Sequence, residues 1–168
     1  MITAEDVLVV MDRLSSKGVK VWLDGGWAVD AALGEQTREH DDLDLVGELA
    51  DVDATGQALA PLGYSLTLDE RPIRVVYDAG DGRSVDYHTV EFDEGGGGIQ
   101  GLPGGGTCRY PPEGFSGTGV IAGRSLPCLT PEVQVYFCHQ GYEPADKDRH
   151  DITRLCERFG LKLPEAYR

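Results

Sequence analysis

The sequence predicts an α+β fold, a mixed β-sheet flanked by helices in a single compact domain. Three observations carry this. The elements run helix, strand, helix, strand, then a group of strands, then helices, the order of a sheet with helices packed on it. The chain has 168 residues and is 40% hydrophobic, enough for one core. No internal repeat or linker divides residues 1–168 into two units.

Each element has its own signal. Thr3 and Asp6 have the spacing of a capping box, and Val7, Leu8, Val10, Met11 and Leu14 recur at helical spacing until Gly18. Val21–Leu23 reads as a short buried strand. Gly25 and Gly26 read as a tight turn, with a helix over 27–33 closed by Gly34. A strand is expected at 43–46, then a helix to about 62 capped by Asp51 or Asp53. Strands are expected at 64–68, 73–78 and 83–90, the last two joined by a turn-rich hairpin. Within 93–119, GGGGIQGLPGGG holds eight glycines in twelve residues and reads as a mobile loop or lid. Short strands follow at 120–121 and 124–126. Helices are then expected at 130–140 and 145–159.

Composition excludes several classes. No apolar run approaches 18 residues, so a membrane span is excluded, and the N-terminal sequence lacks a signal peptide's pattern, which predicts a cytoplasmic protein. Cys108, Cys128, Cys138 and Cys156 are widely spaced without a CxxC pair, which favours thiols over a disulfide framework or zinc site. A net charge of −14 repels phosphate backbones and suits a cationic small molecule rather than a nucleic acid.

The chemistry concentrates in acids on strands. Asp42 and Asp44 alternate with Leu43 and Leu45, so both carboxylates share one face, about 6–7 Å apart. Acids so close repel unless a cation lies between them, the arrangement of a divalent-metal clamp on a phosphate substrate. Asp86, in Ser84-Val85-Asp86-Tyr87-His88, adds a third carboxylate if its strand lies beside the first. Two ions about 3.5–4 Å apart would then bridge the three, and Asp86 would take a proton from an attacking hydroxyl. Other signals fail. Gly96, Gly98 and Gly101 satisfy G-x-G-x-x-G without a preceding strand, no Walker A or G-x-S-x-G motif occurs, and the histidines lack zinc spacing. Residues 146–151 read as a solvated helix face from which Lys147 or Arg149 could reach a phosphate.

These residues resemble a known family. Trp22-Leu23-Asp24-Gly25-Gly26-Trp27 with Val29-Asp30, then Thr37-Arg38-Glu39-His40-Asp41-Asp42-Leu43-Asp44, form its most specific anchors. Val85-Asp86-Tyr87-His88, Leu126-Pro127-Cys128-Leu129, Gln140-Gly141-Tyr142 and His150-Asp151-Ile152 complete them. The chain resembles the small antibiotic nucleotidyltransferases, of the lincosamide and aminoglycoside 2″ types, in the superfamily typified by DNA polymerase beta. The resemblance implies a nucleotidyltransferase fold with magnesium and ATP, or another nucleoside triphosphate, across the sheet. It implies Asp42, Asp44 and Asp86 as ligands of two Mg2+ ions and Asp86 as base. It also implies Gly25 and Gly26 as the backbone approach to the triphosphate, and Arg38 as a phosphate contact. Trp27 is expected to pack in the core. The acceptor is expected to be a lincosamide or aminoglycoside, both cationic, and a homodimer is open because neighbouring subunits often complete this pocket.

Rival readings are a nucleotide-binding regulatory module without turnover, an enzyme modifying a protein, and a transferase acting on another metabolite. Intact acids argue against the first. Pyrophosphate release on a drug panel separates the others.

Overall fold

The computed structural model describes residues 1–136 and 143–168. Helix α1 (Ala4–Ser16) opens with the expected capping box, Thr3 and Asp6 bonding each other's backbone N–H. Strand β1 (Val21–Leu23) leads into α2 (Gly25–Leu33), closed by Gly34 in the left-handed conformation. The Gly-Gly pair is therefore the first turn of the helix and not a separate tight turn. Strand β2 (Asp42–Glu48) is followed by α3 (Val52–Leu59), and neither Asp51 nor Asp53 forms a side-chain cap there. The long hairpins come next: β3 (Ser65–Glu70), β4 (Arg74–Asp78) and β5 (Ser84–Phe92).

The expected lid at 93–119 is not a loop. It forms β6 (Gly98–Gly101), β7 (Thr107–Tyr110), a 3-10 turn at Pro112–Ser116 and the start of β8 (Thr118–Ile121). Its glycines serve two ends: a side chain on Gly98 would meet Phe115 and one on Gly101 would meet Pro72, whereas Gly96, Gly104, Gly105 and Gly106 take the positive φ of the turns. Strand β8 pairs with β9 (Arg124–Pro127) in a hairpin seated on α2, where Gly119 lies against Ala31. Helices α4 (Pro131–Tyr136) and α5 (Asp146–Phe159) follow. The expected continuation of α4 to about residue 140 lies outside the described residues.

The sheet runs β1-β2-β5-β4-β3, with β6 and β7 extending from the far end of β5. It is mixed: β2 and β5 are parallel, whereas β1 with β2, β4 with β5, and β3 with β4 are antiparallel. Alternation divides its faces. Leu43, Leu45, Val75, Tyr77, Val85 and Tyr87 point into a core closed by Val7, Val10 and Leu14 of α1 and by Val52 and Leu59 of α3. Trp27 is buried in the same core, as expected. The opposite face carries Asp42, Asp44, Arg74, Asp86 and His88 towards α2, α5 and the β6–β7 hairpin.

Cys128 and Cys156 are buried free thiols. Cys108 is disulfide-bonded, against the thiol expectation. Sequence spacing carries no trace of a bridge between residues that only the fold brings together. Among the described residues no helix is long and apolar enough to cross a membrane.

Candidate active site

The parallel pairing of β2 and β5 sets Asp44 directly opposite Asp86, and Asp42 opposite Ser84. Asp44, Asp86 and His88 each offer a ligand atom within 4.8 Å of the others. Asp42 lines the same cavity but stands outside that close cluster. His88 Nε2 lies 3.5 Å from Asp44 Oδ1 and 3.8 Å from Asp86 Oδ1. Arg74 NH1 donates to Asp86 Oδ2 at 2.5 Å, and its Nε donates to Glu70 at 2.9 Å. Asp86 Oδ1 is buried and has no hydrogen-bond partner among protein atoms.

Charge crowding shows in the acid–base balance. Burial and the charges of Asp42 and Asp24 hold the Asp44 pKa above the usual carboxylate range, with His88 opposing them. Burial alone would lower the His88 pKa, but the hydrogen bond with Asp44 and the charges of Asp86, Asp44 and Asp24 push it up to about 9. A crowd of anions with an orphaned buried oxygen is the donor set of a hard divalent cation. The residues present fit magnesium.

The cavity over this cluster measures about 700 Å³, room for a drug-sized molecule. Gly25 and Gly26 form part of its wall at the N-terminal end of α2, the positively polarised end of a helix. Gly25 has φ +56°, and a side chain there would overlap the Asp44 carboxylate. A side chain on Gly26 would overlap Arg38 and His40. Arg38 also lines the cavity and is clamped by Asp151 of α5, with Nε 3.0 Å from Oδ1 and NH2 2.6 Å from Oδ2. Burial would lower the Arg38 pKa, but Asp151, Asp30 and Asp42 raise it. Within the solvated face expected for residues 146–151, Asp151 alone is buried, and 146–150 are exposed or half-buried. Lys147 lines the cavity, whereas Arg149 donates to the Ala166 carbonyl.

A buried lock fixes the loop before β2. Asp30 accepts from the Thr37 N–H and hydroxyl, and its other oxygen lies 2.5 Å from His40 Nε2. On the far wall, Tyr110 donates to Gln100 Oε1 at 2.8 Å, while Gln100 Nε2 donates to the Ile73 carbonyl and lies 3.4 Å from His88 Nδ1. The β6–β7 hairpin is thereby joined to the acid cluster.

Sequence reasoning brought Asp42, Asp44, Asp86, Gly25, Gly26 and Arg38 to one cavity. It missed His88, Arg74, Asp24 and Gln100 as members of the site. His88 was findable, since it lies two residues after Asp86 and so on the same strand face. Arg74 was not, because only the β4–β5 register, which sets it opposite His88, brings it in.

Comparisons with known proteins identify the family and the fold. The model of the aminoglycoside-2''-adenylyltransferase family matches residues 6–155. A lincosamide resistance protein of Staphylococcus haemolyticus is 30% identical over 154 residues, covering 92% of this chain and 94% of its own. A 2''-aminoglycoside nucleotidyltransferase of Escherichia coli is 29% identical over 171 residues, covering 95% and 89%. In structure, a lincomycin-bound lincosamide antibiotic adenylyltransferase superposes with TM-score 0.79 at 29% identity, covering 92% of this chain and 96% of the other. The chain belongs to the aminoglycoside-2''-adenylyltransferase family.

Proposed function

We propose that this chain transfers a nucleoside monophosphate, AMP from ATP, to a hydroxyl of a small cationic antibiotic of the lincosamide or aminoglycoside class. Family membership supports the nucleotidyltransferase reaction and the antibiotic acceptor. The observation that carries the residue roles is the Asp44–Asp86 pairing, with Asp86 Oδ1 buried in the cavity wall and accepting no hydrogen bond.

Asp86 takes the proton of the acceptor hydroxyl as that oxygen bonds to the α-phosphorus. The bond from this phosphorus to its bridging oxygen breaks, and pyrophosphate leaves. Asp42, Asp44 and Asp86 would hold Mg2+, which neutralises charge growing on the transferring phosphate and the leaving group. Gly25 and Gly26 bring the backbone at the start of α2 into the cavity wall, where its N–H groups would meet phosphate oxygens. Arg38, held rigid by Asp151, contacts the triphosphate. The reading carries a cytoplasmic location, where the triphosphate donor is supplied.

The test is pyrophosphate release with ATP, GTP, CTP or UTP and magnesium, across lincosamides and aminoglycosides, with mass spectrometry of the products. A drug heavier by one nucleotide is expected. No release with any pairing of donor and drug would overturn the proposal.

A further inference from the structure

The two oxygens of Asp86 are in unlike states. Oδ1 is buried and accepts no hydrogen bond, with His88 Nε2 3.8 Å away, whereas Oδ2 is held by Arg74 at 2.5 Å. Arg74 is tethered a second time, to Glu70 at 2.9 Å, and its side chain is 37% exposed against 13% for Asp86. The guanidinium can therefore swing outward on its Glu70 tether, while the carboxylate stays fixed on the central strand. A divalent ion on Oδ1 would stand against the guanidinium across a single carboxylate, and cations that close repel. An arginine bonded to Oδ2 also blocks the oxygen left to take a proton.

We propose that Arg74 is a displaceable counter-ion, which occupies Asp86 until the divalent cation loads and must leave before Asp86 can act as base. Arg74 then resembles a lock on the general base. Metal arriving alone has to displace the guanidinium without compensation. Metal arriving with a triphosphate brings phosphate oxygens that can accept it, so the site favours the metal–nucleotide complex over free metal. This inference rests on the metal-dependent transfer proposed above.

The experiment titrates Mn2+ into the full chain, following free Mn2+ by electron paramagnetic resonance, with and without α,β-methylene-ATP. The parent is compared with Arg74→Gln, Arg74→Lys and Asp44→Asn, each first checked for folding by circular dichroism. Without nucleotide, Arg74→Gln is expected to bind Mn2+ about three- to tenfold more tightly, the scale of one partly exposed ion pair. Arg74→Lys, which keeps a cation beside Asp86, is expected to stay near the parent. With the analogue present, the advantage of Arg74→Gln is expected to vanish. Unchanged or weaker Mn2+ binding in Arg74→Gln, with Asp44→Asn clearly weakened, overturns the lock and leaves the metal site standing. Parent-like binding in Asp44→Asn overturns the metal site itself, and the lock with it.

Discussion

In the mechanism proposed here Asp86 is the base, and its setting holds it still. It lies on the central strand of the sheet, flanked in sequence by buried Val85 and Tyr87, and held from one side by Arg74. Replacing it by Asn keeps the shape and removes the proton acceptor. A fall in turnover of roughly 10²–10⁴-fold is expected, with a melting temperature near the parent's. A rate within a factor of two of the parent would remove Asp86 as base. Gly25 is a second sensitive point, since Ala there needs a left-handed backbone and would push its methyl group into the Asp44 carboxylate. Gly25→Ala is expected to cost about 1–2 kcal/mol of stability and on the order of 10²-fold in turnover, measured by urea unfolding and steady-state kinetics. The paired acids were legible in the sequence because strand alternation alone sets Asp42 and Asp44 on one face. Arg74 was illegible, because its place depends on register between strands.

At the scale of elements, α5 does more than cover the sheet. Its buried Asp151 grips Arg38 through both oxygens, which ties the last helix to the loop that feeds β2. Asp151→Asn removes the charge and weakens the fork. A loss of about 2 kcal/mol is expected in urea unfolding, with a raised KM for the nucleotide and little change in turnover. An unchanged KM would separate Arg38 from phosphate binding. The acidic and basic run 146–151 hid this, because a helix face rich in charge looks solvated until a partner in another element is known. The glycine-rich stretch misled for the opposite reason. Glycine marks flexibility, close approach and left-handed turns alike; here Phe115 and Pro72 press against Gly98 and Gly101, and Gly104, Gly105 and Gly106 build a turn with positive φ.

For the whole molecule, the core is built to keep ionisable groups neutral. Burial raises the pKa of Tyr77 to about 12 and, with the charge of Asp24, that of Cys128 to about 12. Burial also raises Tyr87 and Tyr110. Unfolded, such groups ionise near their ordinary values, about 8.5 for Cys and about 10 for Tyr. Folded pKa values above these mean that the stabilisation is complete below pH 8.5 and is lost as the pH rises towards 12. The urea midpoint is expected to fall between pH 7 and 9, as the proton that the fold holds on His88 is lost, and to fall further by pH 10.5 as the thiol and phenols ionise in the unfolded chain. A level midpoint across that range would contradict the buried, proton-bearing phenols. The order of elements made the mixed sheet legible from sequence, while the parallel pairing at its centre came only with the fold.

That central pairing and the β6–β7 hairpin are separate pieces of architecture. The acids stand on β2 and on β5 up to His88, whereas the hairpin joins the sheet beyond them, at Glu91 and Phe92. It still supplies Gln100, Gly101, Leu102, Pro103 and Tyr110 to the cavity wall. One contiguous run of sequence, 98–110, therefore furnishes this part of the wall, separate from the strands that carry the acids. Substitutions within this single stretch would reshape the cavity wall and leave the strands that carry the acids untouched.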